Sequence, residues 1–315
     1  MERKIAVIAI GGNSLISSKT AVTFDSQYGN VLETCSHFMD LIAKGYKLVI
    51  THGNGPQVGF VLRRAEIAKH ELHMIPLDAC GADTQGAIGY QIQRAMNNCF
   101  TKNPQIPRKP VATVVTQSLV DKEDPSFKEP TKPIGSFMDE SVALAHQAKD
   151  GWTVVEDSGR GWRRVVASPK PVKILELEAI KHLVDNDVVV VCTGGGGIPV
   201  IEVDGEYWGS EAVIDKDFAT SLLAKELDAD TFIISTAVDQ VYLNFGKENE
   251  KLISEMTVEE AEQYIKEGHF AKGSMLPKIQ ACIEFVKASG KRALITSPKK
   301  LPEAIEGKAG TYIVP

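Results

Sequence analysis

Three apolar runs in this chain stop at clusters of glycine. Lys4–Ile10 (KIAVIAI) precedes Gly11-Gly12-Asn13-Ser14, Lys47–Thr51 (KLVIT) precedes His52-Gly53-Asn54-Gly55-Pro56, and Asp187–Cys192 (DVVVVC) precedes Thr193-Gly194-Gly195-Gly196-Gly197-Ile198-Pro199. A strand that is apolar at nearly every position has no solvent face, so both its sides must be covered, as in a parallel sheet lying between helices. Helical spacing fills the intervals: Gln27–Lys44, closed by Gly45, and Pro56–Lys69, opened by a proline suited to a first turn. Further strands are expected at Val111–Gln117, Thr231–Ser235, Gln240–Asn244, Ala293–Thr296 and Thr311–Val314, and a hairpin at Val200–Trp208 around Asp204-Gly205. Further helices are expected at Asp78–Phe100, Glu176–Asp185, Asp215–Leu227, Val258–Glu267 and Leu276–Ala288. The alternation predicts an α/β protein with a mainly parallel sheet and helices on both faces.

The glycine clusters have a chemical reading. Gly53, Asn54 and Gly55 fall just before a helix N-terminus, where unpaired amides and the helix dipole favour an anion. Gly11 and Gly12 can present amides in the same way, although a tight turn would use them equally well. Four consecutive glycines at 194–197 are hard to ascribe to packing; they point to unusual dihedrals or close approach of a ligand, with a flexible turn as the alternative. Ala212-Val213-Ile214-Asp215-Lys216-Asp217-Phe218-Ala219 puts a cation between two carboxylates at a helix start, with Asp215 as N-cap. In isolation that is better explained as a capped helix with a surface lysine. Its company changes the balance, because Lys132 and Lys278 also sit in Pro-flanked settings (Thr131-Lys132-Pro133 and Pro277-Lys278). Glycine turns with fixed lysines suggest phosphate chemistry. Neither G-x-x-x-x-G-K-[ST] nor G-x-G-x-x-G is present, which disfavours a P-loop or a Rossmann site.

Residues 118–166 differ in character: proline, glycine and charge concentrate there, and the stretch reads as an insert able to serve as a lid. Its Arg160, Arg163 and Arg164 read more readily as solvated surface than as a site. A net charge of −6 gives no reason to expect DNA or RNA. The five cysteines are scattered and show no metal spacing, and His70 and His73 lack a third ligand, so no protein metal site is assigned. No run is long enough for a signal-peptide core or a membrane span, and a cytoplasmic protein is expected.

Taken together these segments resemble the carbamate kinases of the amino-acid kinase superfamily over essentially the whole chain. The strings that carry the resemblance are Ala9-Ile10-Gly11-Gly12-Asn13, Thr51-His52-Gly53-Asn54-Gly55-Pro56-Gln57-Val58-Gly59, Pro76-Leu77-Asp78-Ala79-Cys80-Gly81, Pro130-Thr131-Lys132-Pro133-Ile134-Gly135, Gly159-Arg160-Gly161-Trp162-Arg163-Arg164-Val165-Val166, Gly194-Gly195-Gly196-Gly197-Ile198-Pro199, Ala212-Val213-Ile214-Asp215-Lys216-Asp217 and Gly273-Ser274-Met275 with Pro277-Lys278. The resemblance implies a three-layer αβα sandwich forming one domain over 1–315, with 118–166 as a protruding subdomain. It also implies a homodimer, Mg²⁺ with ATP or ADP, and reversible phosphoryl transfer between ATP and carbamate to give ADP and carbamoyl phosphate, run towards ATP in arginine or ureido-compound catabolism. Leu276 departs from a family glycine, Asp83-Thr84 from a Met-Ser pair and Ser235 from a leucine.

By the same resemblance Lys216 and Lys278 contact the transferred phosphoryl and the nucleotide phosphates, Lys132 arrives from the subdomain, and Asp215 holds the lysines. Gly11, Gly12, Asn13, Gly53, Asn54 and Gly55 surround carbamate and the γ-phosphate, while Ala237, Val238, Tyr242 and Met275 are candidates for the adenine pocket. Transfer between two anions needs charge neutralisation and in-line positioning, and an anionic acceptor needs no general base. The alternatives are a related kinase acting on another small carboxylate and a catalytically silent sensor of nucleotide or carbamoyl phosphate.

Overall fold

In the computed structural model of this protein, which describes residues 4–11, 23–157 and 159–315, strand Lys4–Ile10 lies inside the central sheet and feeds two cores. Ile5, Val7 and Ala9 pack with Leu223, Phe232 and Phe285 on one face. Ala6, Ile8 and Ile10 pack with Val31, Phe38, Ile88 and Met96 on the other. Period-two alternation in a wholly apolar run therefore builds both cores at once. Among the described residues the sheet has eight strands, in the order Glu255–Thr257, Thr311–Val314, Ala293–Thr296, Thr231–Ser235, Lys4–Ile10, Tyr46–His52, Val189–Val191, Val111–Thr113. Neighbours are parallel except Ala293–Thr296 against Thr311–Val314. The central strands consequently end on one side, and the loops that follow them are tied together there: Gly11 N–H donates to Ser235 O and Gly53 N–H to Ile10 O.

The expected helix over 27–44 is two helices. Phe24–Ser36 is capped by Thr23, whose hydroxyl accepts from Ser26 N–H, and Met39–Ala43 follows a turn at His37-Phe38. That bend carries Phe38, Met39, Leu41 and Ile42 into the core. The expected strand 111–117 also divides. Val111–Thr113 stays in the main sheet, while Gln117–Val120 joins a second sheet beside Ile198–Val203, Glu206–Gly209 and Pro171–Ile174. Between the two halves the Gln85 side chain takes over the ladder, accepting from Thr116 N–H at 2.8 Å and donating to Thr116 O at 3.0 Å. The hairpin at 200–208 forms as expected, whereas Val241–Leu243 pairs with Lys251–Ile253 outside the main sheet. In helix Leu77–Lys102 a side chain on Gly89 would collide with Thr113, whereas Gly81 and Gly86 face open space.

Within the 118–166 segment the part with its own sheet is Lys132–Met138, Thr153–Glu156 and Trp162–Val166, accompanied by helix Glu140–Asp150. Residues 118–120 remain with the body of the protein through Ile198–Val203. This small sheet leans on helix Gln57–Ala68 so closely that a Cβ on Gly59 would come within 3.2 Å of Gly135 Cα.

Candidate active site

Helix Lys216–Glu226 begins on Asp215, whose carboxylate accepts from Asp217 N–H at 2.9 Å. An N-cap in that position fixes the first turn and with it the directions of Lys216 and Asp217. Asp217 is buried and takes two ammonium groups, one on each oxygen: Lys216 Nζ at 2.5 Å and Lys278 Nζ, from the first turn of helix Met275–Ser289, at 2.9 Å. Burial alone would raise the Asp217 carboxyl, but the two lysines outweigh it and hold the group at about 2. Burial lowers the pKa of Lys216, an effect that Lys278 reinforces and Asp217 opposes. Lys132, carried by the small sheet, donates to Asp215 at 3.0 Å. Asp215 thus holds Lys132 alone of the three lysines, and Asp217 holds the other two. This corrects the expectation that Asp215 positions them all. The signal was present in the sequence, since Asp-Lys-Asp offers a second carboxylate, but only the fold shows which one faces Lys278.

These groups line a cavity of about 510 Å³ together with Gly11, Gly53, Asn54 and Gly55 from the strand ends, Thr236, Ala237, Gly273 and Ser274 from the C-terminal half, and Gly135 and Arg163 from the small sheet. Of the expected site residues, Gly12 and Asn13 lie outside the described residues. Val238, Tyr242 and Met275 do not line the cavity; Tyr242 meets Phe245 ring to ring and Met275 packs against the core. Thr236, Gly273 and Ser274 stand there instead. Arg163, which lines the cavity, and Arg164, half-buried between Trp152 and Glu211, correct the surface reading of the arginines, which holds only for Arg160, exposed and paired with Asp157.

The glycines at 194–197 correct another expectation, because packing does require them. A Cβ on Gly194 would fall 2.4 Å from His52 Nε2, on Gly195 2.3 Å from Asn54 Nδ2, on Gly196 2.6 Å from Ile214 O and on Gly197 2.1 Å from Ser118 Oγ. Three of them also hold positive φ, so the unusual dihedrals expected from the sequence are there, and the close approaches are to protein atoms. The loop wedges Asn54 into place, and Asn54 Nδ2 donates to Thr84 Oγ1 at 3.2 Å, one of the positions that departs from the family pattern. Burial, with help from Lys216, lowers the pKa of His52 to about 4. The ring is therefore neutral, and its Nδ1 donates to Gly53 O. Such a site supplies fixed positive charge in a partly enclosed cavity lined by the strand-end glycines, while the Gly11 and Gly53 amides are spent on Ser235 O and Ile10 O; fixed charge of this kind stabilises a phosphoryl group in transit.

The profile of the amino acid kinase family matches residues 4–297. The chain is 50% identical to carbamate kinase 2 of Enterococcus faecalis over 98% of its own length and 97% of that protein. It is 48% identical to the carbamate kinase of Pyrococcus horikoshii over 98% of each. Among solved structures, carbamate kinase from Giardia lamblia bound to AMP-PNP superposes with a TM-score of 0.93 at 44% identity, covering 99% of this chain and 98% of that one.

Proposed function

The chain belongs to the amino acid kinase family, and on that basis we propose that it is a carbamate kinase, transferring a phosphoryl group reversibly between ATP and carbamate to give ADP and carbamoyl phosphate. The observation that carries the reading at the level of chemistry is the Lys216–Asp217–Lys278 triad, in which a buried carboxylate presents two half-buried ammonium groups to the cavity at a spacing it sets. Lys216 and Lys278 neutralise the transferring group and the nucleotide phosphates; the Asn54–Gly55 turn orients acceptor and γ-phosphate, the Gly11 and Gly53 amides being taken by Ser235 O and Ile10 O; Lys132 adds a third cation. Carbamate is already an anion, so no base is needed, and His52, neutral and turned to a carbonyl, is not one.

Mg²⁺ belongs to the same proposal. No His, Cys, Asp or Glu cluster among the described residues is arranged to cage a metal, and the carboxylates of Asp215 and Asp217 are engaged by lysines. That donor set fits an ion brought in on the nucleotide phosphates, where it neutralises oxygen charge, as Mg²⁺ commonly is. We also place the enzyme in the cytoplasm as a homodimer acting towards ATP in arginine or ureido-compound catabolism. No described helix is long and apolar enough to cross a membrane, and the open space before Gly81 and Gly86 leaves a surface for a second copy. Segment 118–166 is proposed to act as a lid that closes Lys132 onto the site.

The test is an assay of ATP formed from ADP, Mg²⁺ and a panel of acyl phosphates. Carbamoyl phosphate should be the preferred donor. ATP from a different acyl phosphate alone would assign another acid acceptor, and binding without any turnover would make the protein a sensor.

A further inference from the structure

We infer that Thr51 and Thr220 are positioning residues, whose paired hydroxyls set the distance between the acceptor turn and the phosphoryl-binding Lys216. Both are fully buried and neither lines the cavity. Thr51 stands near the end of strand Tyr46–His52, shortly before Asn54 and Gly55, and Thr220 lies one turn beyond Lys216 in helix Lys216–Glu226. Their hydroxyl oxygens are 2.7 Å apart. Thr220 spends its one hydroxyl proton on Lys216 O at 2.6 Å, so the bond between the two threonines runs from Thr51 to Thr220. Thr51 has no second proton for Ile8 O, which is 3.5 Å away. The outcome is a directed chain from Thr51 through Thr220 to the carbonyl of Lys216, joining the strand that carries the acceptor turn to the residue that meets the phosphoryl group.

A threonine inside a helix often bonds to the carbonyl one turn back, and that bond alone has no bearing on catalysis. The tie to a second element is different. Val49, on the same face of the strand as Thr51, and Leu223 and Ala224, on the same face of the helix as Thr220, belong to one apolar core, so burial alone would favour valine at both positions. Methyl carbons pack at about 3.5–4.0 Å, whereas these oxygens meet at 2.7 Å. The hydroxyl pair therefore draws strand and helix about 1 Å closer than an apolar pair of the same shape allows. Phosphoryl transfer in line between two bound anions is sensitive to a displacement of that size. Lys216 is fixed at its head by Asp217 at 2.5 Å and Asn54 by Thr84 at 3.2 Å, so a shift at the threonine pair is carried into the site.

This inference rests on the carbamate kinase reading, and three variants with two measurements separate their fates. Thr220→Ser keeps the hydroxyl and gives up a methyl. The double variant Thr51→Val with Thr220→Val keeps the shape and gives up both hydroxyls, leaving no buried donor without a partner. Thr51→Val alone breaks the tie while Thr220 stays bonded to Lys216 O. In synthesis of ATP from ADP, Mg²⁺ and carbamoyl phosphate, Thr220→Ser should lose Tm and keep kcat close to wild type. The double variant and Thr51→Val should keep Tm close to wild type and lose kcat roughly ten- to a hundredfold, with KM for ADP unchanged. Hydrogen exchange of the ligand-free proteins, which needs no turnover, should quicken across 53–58 in both valine variants and not in Thr220→Ser. Wild-type kcat in the valine variants, kcat that follows Tm across the set, or exchange at 53–58 equal in all of them would show a pair that serves stability alone, and the inference fails. A wild type that makes no ATP from carbamoyl phosphate removes the kinase reading, and the exchange comparison then decides by itself: quickening confined to the valine variants upholds the tie between turn and helix, and its absence removes that too.

Discussion

Asp217 does more at this site than any other single residue, and its function and its burial pull in opposite directions. Enclosing a carboxylate is unfavourable, and only the two ammonium groups on its oxygens reverse the balance. Replacing it with asparagine keeps the shape and removes the charge. Lys216 and Lys278 would then repel one another across the cavity mouth, and Lys216, its pKa already lowered by burial, would lose protons more readily. Asp217→Asn should therefore lower kcat by about a hundredfold or more, and the alkaline limb of its pH–rate profile should move to lower pH. A pH–rate profile parallel to wild type, merely scaled down, would mean that Asp217 serves structure alone. Lys216→Ala should lower kcat far more than it lowers Tm, since relieving a buried charge offsets part of the lost packing.

Two elements carry predictions of their own. The small sheet is tied to the body by Lys132 and Asp215 at 3.0 Å, and Asp215→Asn separates that tie from helix capping, because asparagine caps a helix about as well as aspartate. Hydrogen exchange across 132–166 should quicken in Asp215→Asn with Tm little changed, and in wild type it should slow when nucleotide and a carbamoyl phosphate analogue bind together. Exchange indifferent to both would leave the insert a passive excursion. Lys132→Ala should lower kcat while leaving ADP binding nearly intact. The glycine loop offers a sharper contrast. Gly195→Ala combines positive φ with a Cβ driven into Asn54, whereas Gly205→Ala, also at positive φ, meets nothing. The second should cost about 1 kcal/mol of stability and leave kinetics alone. The first should cost clearly more and raise KM for the acceptor, measurable as a Tm difference between the variants and a change in KM confined to Gly195→Ala.

For the molecule as a whole, the same ion triad sets a pH window. The folded Asp217 carboxyl lies at about 2, below its usual 3.8, so the stability it contributes is complete above the unfolded value and drains away as pH falls from about 4 towards 2. Acid unfolding followed by circular dichroism should be less steep in that window for Asp217→Asn than for wild type, and equal slopes would contradict the arrangement. Ligand linkage acts on the whole domain too: ADP with Mg²⁺ at a hundred times its Kd should add about 2.7 kcal/mol to stability, seen as a rise in Tm.

The sequence by itself determined the sheet and the address of the site. Runs such as Lys4–Ile10 have no polar face to give to water, so two covered faces and a parallel sheet follow from hydrophobicity and strand period alone, and the glycine clusters at the strand ends mark where the chain must turn. The lysines were legible for the same local reason, each beside a proline or a cap. What remained to the tertiary structure was pairing. Nothing local says that Asp217 rather than Asp215 will meet Lys278, 61 residues away, that the 194–197 glycines make room for His52, Asn54, Ile214 and Ser118, or that Arg163 and not Arg164 lines the lysine cavity. Those outcomes depend on which segments the packed sheet brings within a few ångströms, and periodicity along the chain carries no information about distance across it.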